Sequence, residues 1–154
     1  MATSKKVKKI YCFPGNAGTS SIATNVEIKI DDFNKIKEFV TKNKIDLLIV
    51  GPEKPLVDGI VDFFEKSKIK IFGPNKIASQ LEGSKAFMKN LCTKNNIPTA
   101  NLGIFDNFDD ASSFIKKTGA PIVVKADGLA AGKGVSVCNE IDEALKTTKE
   151  ILQG

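Results

Sequence analysis

The 154-residue chain has no histidine, no arginine and no tryptophan, and each absence narrows what it can do. Without histidine, imidazole acid–base catalysis, imidazole metal ligation and a Ser-His triad are excluded within these residues. Without arginine, the planar fork that reads base edges and grips phosphates bidentately is missing. The formal charge of +5 is therefore all lysine in origin. Those lysines are scattered along predicted helix faces without interleaved aromatics, so no nucleic-acid partner is expected. A coding composition rich in A and T is the simpler source of the excess. Cysteine is scarce: Cys12, Cys92 and Cys138 are odd in number, far apart and free of any C-x-x-C spacing. They read as small buried apolar residues and not as a zinc site or a disulfide framework. No apolar run approaches a membrane span and no signal-peptide core opens the chain. A cytoplasmic protein without a membrane partner is expected.

What the sequence does contain is concentrated in Pro121 to Val135, PIVVKADGLAAGKGV. An apolar run ends in Lys125 and feeds a loop with Gly128, Gly132, Lys133 and Gly134. A second apolar run, Val135 and Val137, follows at once. The pattern is strand, glycine loop, strand. Glycine lets a backbone approach a ligand closely, and successive backbone N–H groups form concavities that suit phosphate oxygens. The loop is not a Walker A element, which needs G-x-x-x-x-G-K-[ST] between a strand and a helix. Here Gly134 and not a hydroxyl residue follows Lys133, and the continuation is β-rich. The stretch reads as a cover over a nucleoside triphosphate. A hairpin whose glycines serve turn geometry alone is the alternative.

Around this element the chain alternates strands and helices. Strands are predicted over residues 7–13, 26–30, 46–50 and 69–72, with helices capped by Asp32 and running over 56–66. The near-continuous apolar run 46–50 fits a parallel strand covered on both faces. This alternation predicts an α/β fold with a doubly wound parallel sheet. A boundary falls near residues 73–83. Beyond it come a short helix over 75–81, a longer one starting at Ser84, a strand over 102–105, and a helix capped by Asp106 or Asn107. The glycine hairpin and a final helix capped by Asn139 complete the chain.

Several residues carry chemistry. Lys125 closes an apolar strand, where a cation is costly unless an anion meets it; a lysine snorkelling at the strand mouth is the other reading. Lys85 stands at a helix start, against the helix dipole, and a phosphate there would reconcile the placement. An ordinary solvated lysine is its alternative. Asp127 reads most simply as an Asx-turn within the glycine loop. The loops carrying Gly15, Asn16, Gly18 and Thr19, and Pro52 and Glu53, leave the C-terminal ends of strands, where open α/β sheets bind ligands. Tight turns alone would account for their Gly and Pro content equally well.

The runs PGNAGT (14–19), GPEKPLVDGIVD (51–62), IFGP (71–74), QLEGSKAFMK (80–89), IPTA (97–100) and GAPIVVKADGLAAGKGV (119–135) occur in this order. Together they resemble the phosphoribosylamine–glycine ligase (glycinamide ribonucleotide synthetase) family of the ATP-grasp superfamily. The resemblance implies an N-terminal substrate-side domain over 1–82 and the first part of an ATP-grasp domain over 83–154. It implies ATP-dependent joining of glycine to 5-phosphoribosylamine in purine synthesis, through a glycyl phosphate, with ADP and phosphate as the other products. Lys85 and Lys125 would contact the ATP phosphates, and the loop with Asp127, Gly128, Gly132, Lys133 and Gly134 would close over them. The loops with Gly15, Asn16, Gly18, Thr19, Pro52 and Glu53 would face phosphoribosylamine. Magnesium would accompany ATP, on ligands outside these residues.

The chain departs from the family pattern at both ends. The family's first strand, Gly-rich loop and following helix have no counterpart, and Met1–Lys6 reads as a polar leader. Roughly five buried apolar residues at ~1.5–3 kcal/mol each amount to about 8–15 kcal/mol. That is the scale of a whole domain's stability, about 5–15 kcal/mol. Both domains are thus expected to be incomplete and the 154 residues inactive alone. A different ATP-grasp ligase or carboxylase, and a non-catalytic remnant or interaction module of the same ancestry, are the rival readings.

Overall fold

The computed structural model describes residues 1–130 and 134–153, and the chain divides into two compact units, residues 1–79 and 80–154. In the first unit, β1 (Tyr11–Cys12) pairs in parallel with β2 (Thr24–Asn25), and β3 (Leu47–Ile49) pairs in parallel with β4 (Lys70–Phe72). Parallel neighbours need crossover connections. A single 3₁₀ turn, Thr19–Ser21, lies within the first crossover, and α2 (Glu53–Asp58) and α3 (Ile60–Phe64) supply the second. Helix α1 (Phe33–Lys42) starts at Asp32, whose carboxylate accepts the Lys35 amide at 3.1 Å. That bond satisfies a donor otherwise left free at a helix start. Ile36 and Val40, one turn apart, then face Leu48 of β3 and Ile60 and Phe64 of α3 in one core.

Several predicted elements take a different form. The strand over 7–13 contracts to Tyr11–Cys12, and the strand expected over 26–30 is displaced to Thr24–Asn25. The Ile28 amide turns back onto the Val26 carbonyl at 2.7 Å, a tight local bond that diverts the chain from the ladder. The helix expected over 56–66 is two helices, because Gly59 between them has φ +95°. A left-handed residue ends one helix and redirects the chain into the next. The strand predicted over 102–105 does not form. Phe105 instead packs against Phe114, with ring centroids 5.2 Å apart and the rings tilted by 49°. Coverage of β3 on both faces is also corrected: Leu48 is buried, but Leu47 and Ile49 are 47% and 44% exposed. Strand alternation sends them to the face opposite the core.

In the second unit, α4 (Lys76–Gly83, entering from the first unit) is followed by α5 (Lys85–Lys94). Ser84 caps α5 by accepting the Phe87 amide. Helix α6 (Phe108–Thr118) is capped by Asn107, with Asp109 and Asp110 in its first turn and Lys116 and Lys117 in its last. Those charges complement the helix dipole at both ends. Strands β5 (Ile122–Lys125) and β6 (Val135–Cys138) form an antiparallel hairpin. Helix α7 (Ile141–Gln153) is joined to Asn139 through that residue's backbone amide, which donates to the Glu143 carboxylate at 3.0 Å; the role foreseen for Asn139 was that of a cap. Ile115, Cys138 and Ala144 make the core, with Ile122 and Val124 packed against it. No helix is long and apolar enough to cross a membrane among the described residues.

Candidate functional site

The candidate site in the second unit grows from the end of β5. Alternation turns Ile122 and Val124 to the core and leaves Val123 and Lys125 on the outer face. Across the hairpin, Val137 opposes Val123 and Val135 opposes Lys125. All three valines are exposed, so this face is an apolar stripe ending in one ammonium group. Past the ladder the Ala126 amide donates to the Gly134 carbonyl at 2.8 Å, closing the base of the loop. A Cβ on Gly134 would sit 2.7 Å from the Ala130 Cβ, so only glycine fits there. Gly132 and Lys133 lie outside the described residues.

Asp127 binds the loop to the start of α5. Its carboxylate accepts the Ser84 hydroxyl at 2.9 and 3.2 Å and the Ala86 amide at 3.2 Å. These partners lie 41–43 residues away, so the carboxylate works across the unit and not only as the local Asx-turn expected of it. Burial pushes the carboxyl up. The bonds donated by the Ala86 amide, the Ser84 hydroxyl and the Gly128 and Lys85 amides outweigh it, and the group titrates below its ordinary value. Lys85 is half-buried, and its Nζ donates to the Gly128 carbonyl at 2.9 Å. Gly128 has φ +91°, a backbone state costly for any residue with a Cβ. Helix start, lysine, carboxylate and glycine loop thus form one connected arrangement. It presents the Lys85 ammonium group and turned backbone, the chemistry that suits a phosphate.

The predicted loops of the first unit are built differently. After β1, the Asn16 amide donates to the Thr19 hydroxyl at 2.8 Å and the Thr19 amide to Asn16 Oδ1 at 3.0 Å. Asn25, on β2, receives the Thr19 hydroxyl on Oδ1 at 2.7 Å and donates Nδ2 to the Asn16 carbonyl at 2.8 Å. Gly15 has φ +81°, and a Cβ there would overlap the Asn25 side chain. Gly18 precedes the 3₁₀ turn. After β3, Pro52 is the N-cap residue of α2 and Glu53 its first residue, at the end a carboxylate favours. Lys54 pairs with Asp58 at 2.7 Å one turn on. Both loops leave the C-terminal ends of strands rooted in one core, through Phe13 and Val50.

Sequence reasoning missed three contributors. Asn25 carries no motif signal. Ser84 was legible as a helix start but not as a partner of Asp127. The apolar outer face of the hairpin was visible in the alternation of Val123, Lys125, Val135 and Val137, had it been read for what it exposes. Among the described residues no three His, Cys, Asp or Glu side chains converge as metal donors. A shallow open depression of about 300 Å³, lined by Lys8, Ile10, Ser21 and Thr24 among others, contains none of the candidate residues.

Parallel strand pairs with helices in one unit and a lysine-ended glycine hairpin packed on helices in the next make this an α/β protein. The chain belongs to the phosphoribosylglycinamide synthetase family: the model of the family's N domain matches residues 1–82, and that of its ATP-grasp (A) domain matches residues 83–154. The phosphoribosylamine–glycine ligase of Caldanaerobacter subterraneus is 50% identical over 152 residues, covering 99% of this chain and 36% of the relative. The chain therefore spans about a third of the length of the curated relatives it matches. The crystal structure of the Thermotoga maritima phosphoribosylamine–glycine ligase is 29% identical with a TM-score of 0.68, covering 94% of this chain and 34% of that one. The biotin carboxylase domain of Hydrogenobacter thermophilus 2-oxoglutarate carboxylase, solved with MgADP, ADP and bicarbonate, gives a TM-score of 0.74 over 97% of this chain and 36% of that one. At 18% identity it shares the fold alone. The family resemblance and the fold class read from the motifs are borne out.

Proposed function

We propose that these residues form the substrate-side domain, over 1–82, and the start of the ATP-grasp domain, over 83–154, of an enzyme that joins glycine to 5-phosphoribosylamine. The glycine carboxylate takes the terminal phosphoryl group of ATP, and the amine of phosphoribosylamine attacks the resulting acyl phosphate. Glycinamide ribonucleotide, ADP and phosphate are the products. The observation that carries this reading is the junction of Lys85, Asp127 and Gly128, in a segment matched throughout by the family's ATP-grasp model.

Lys85 and Lys125 take the ATP phosphates, with Gly128 and Gly134 letting the loop backbone approach. Phosphoryl transfer depends chiefly on charge neutralisation and positioning, which two ammonium groups supply. The apolar stripe of Val123, Val135 and Val137 suits the flat face of a base. The Gly15–Thr19 and Pro52–Glu53 loops take the phosphoribosylamine side. Magnesium would come with ATP, held by phosphate oxygens and one or two carboxylates, and this reading assigns those carboxylates to parts of the enzyme outside these residues. The partners are small molecules and the location is cytoplasmic.

A chimera tests the reading. The matched segment of the Caldanaerobacter relative is replaced by this chain, and ADP release is followed with MgATP, glycine and phosphoribosylamine. ADP is expected only when both co-substrates are present, and Lys125→Ala should lower the rate about 100-fold or more, as loss of one charge-stabilising group does. A folded chimera without glycine-dependent ADP release would refute the proposal.

A further inference from the structure

Lys85 occupies a position that electrostatics disfavours. It is the first residue of α5, where the helix dipole repels a cation, yet its side chain is half-buried and its ammonium group is directed onto the Gly128 carbonyl at 2.9 Å. A free lysine at that place would swing into water, since its side chain gains rotamer freedom by doing so. Something must hold the loop against the helix so that the carbonyl stays within reach. The connection is made one residue before Gly128. The Asp127 carboxylate accepts from the Ser84 hydroxyl and from the Ala86 amide, on both sides of Lys85 in sequence. The Ser84 hydroxyl also caps the helix by accepting the Phe87 amide at 3.0 Å. One carboxylate therefore replaces the anion that a helix start attracts and fixes the loop beside it.

We infer that Asp127 is a positioning residue, which pins the Asp127–Gly128 start of the loop to the first turn of α5 and so holds the Lys85 ammonium group at the Gly128 carbonyl. The purpose of that placement rests on the phosphate-binding reading of Lys85, but the placement itself does not. Asp127 meets protein donors in this arrangement, so its effect on a phosphate is exerted through Lys85. Charge and geometry make different demands. An asparagine keeps an oxygen acceptor for the Ser84 hydroxyl and the Ala86 amide, and an alanine keeps neither.

The test is competitive acetylation of the 154-residue chain by trace acetic anhydride, read lysine by lysine by mass spectrometry, without nucleotide. Asp127→Ala should raise the rate at Lys85 about tenfold, the scale of a lost hydrogen bond to a charged group. Lys116 and Lys149, exposed on other helices, should keep their rates. Asp127→Asn should restore slow labelling at Lys85 to within about threefold of the parent chain, because the acceptor oxygen remains. An unchanged Lys85 rate in Asp127→Ala overturns the inference. So does a uniform rise at all lysines, which marks general unfolding and not release of one side chain. Failure of the chimera described above to release ADP would count against the nucleotide reading and leave this result standing, since labelling requires no nucleotide.

Discussion

Two loops at opposite ends of the chain are held in place by different physics. In the first unit, the turn after β1 closes on itself: Asn16, Thr19 and Asn25 exchange neutral hydrogen bonds over at most nine residues of sequence. In the second, the loop after β5 is held by one carboxylate reaching back 41–43 residues to the start of α5. The first arrangement is local, uncharged and dependent on a glycine that leaves room for a side chain. The second is non-local and charge-assisted, and it weakens when the acid is protonated. The first should therefore respond to steric change and ignore pH, and the second should respond to pH and charge.

The largest expected effect tests the steric half of this contrast. Gly15→Ala forces a left-handed backbone onto a residue with a Cβ, at about 1–3 kcal/mol. It also displaces the exposed Asn25 side chain, which must give up its bonds to Thr19 and Asn16. Urea unfolding should report that loss, and an unchanged midpoint would mean that the turn of Asn16, Thr19 and Asn25 yields without cost.

A smaller effect tests the charged half. The Asp127 carboxyl titrates lower in the folded chain than the ordinary value of 3.8, so its contribution is fully present above that value and disappears as pH falls through the lower folded value. Protection of the Ala86 amide against hydrogen exchange should hold steady from neutral pH down to about 5. It should then fall on further acidification, while the Thr19 amide, tied to a neutral side chain, stays protected over the same range. Asp127→Asn should flatten the Ala86 profile. Parallel loss at both amides would erase the distinction between the two loops.

The contrast also explains what was legible in the sequence. Helices α1, α5 and α6 were readable because their caps, Asp32, Ser84 and Asn107, act within three residues. The hairpin of β5 and β6 was readable from its alternation and its glycines. The lysines at its edge stood out because a cation beside apolar residues calls for a reason. The bond between Asp127 and Ser84 was not readable, since nothing in either neighbourhood names a partner 43 residues away. Asn25 was hidden for a related reason: it sits in an unremarkable strand and matters only because the turn folds back onto it. The break at Gly59 was masked by the apolar spacing of Val57, Ile60, Val61 and Phe64, which fits one helix as well as two. The strand expected over 102–105 lost to Phe105, whose ring finds Phe114 on α6.

The most direct test of the functional claim is titration calorimetry of MgATP into the chimera described above and its Lys85→Ala and Lys125→Ala variants. The account predicts binding by the parent chimera that each substitution weakens about tenfold or more, the value of a charged hydrogen bond to phosphate. Equal affinity in all three, with the fold intact, would contradict it by showing that neither ammonium group meets the nucleotide.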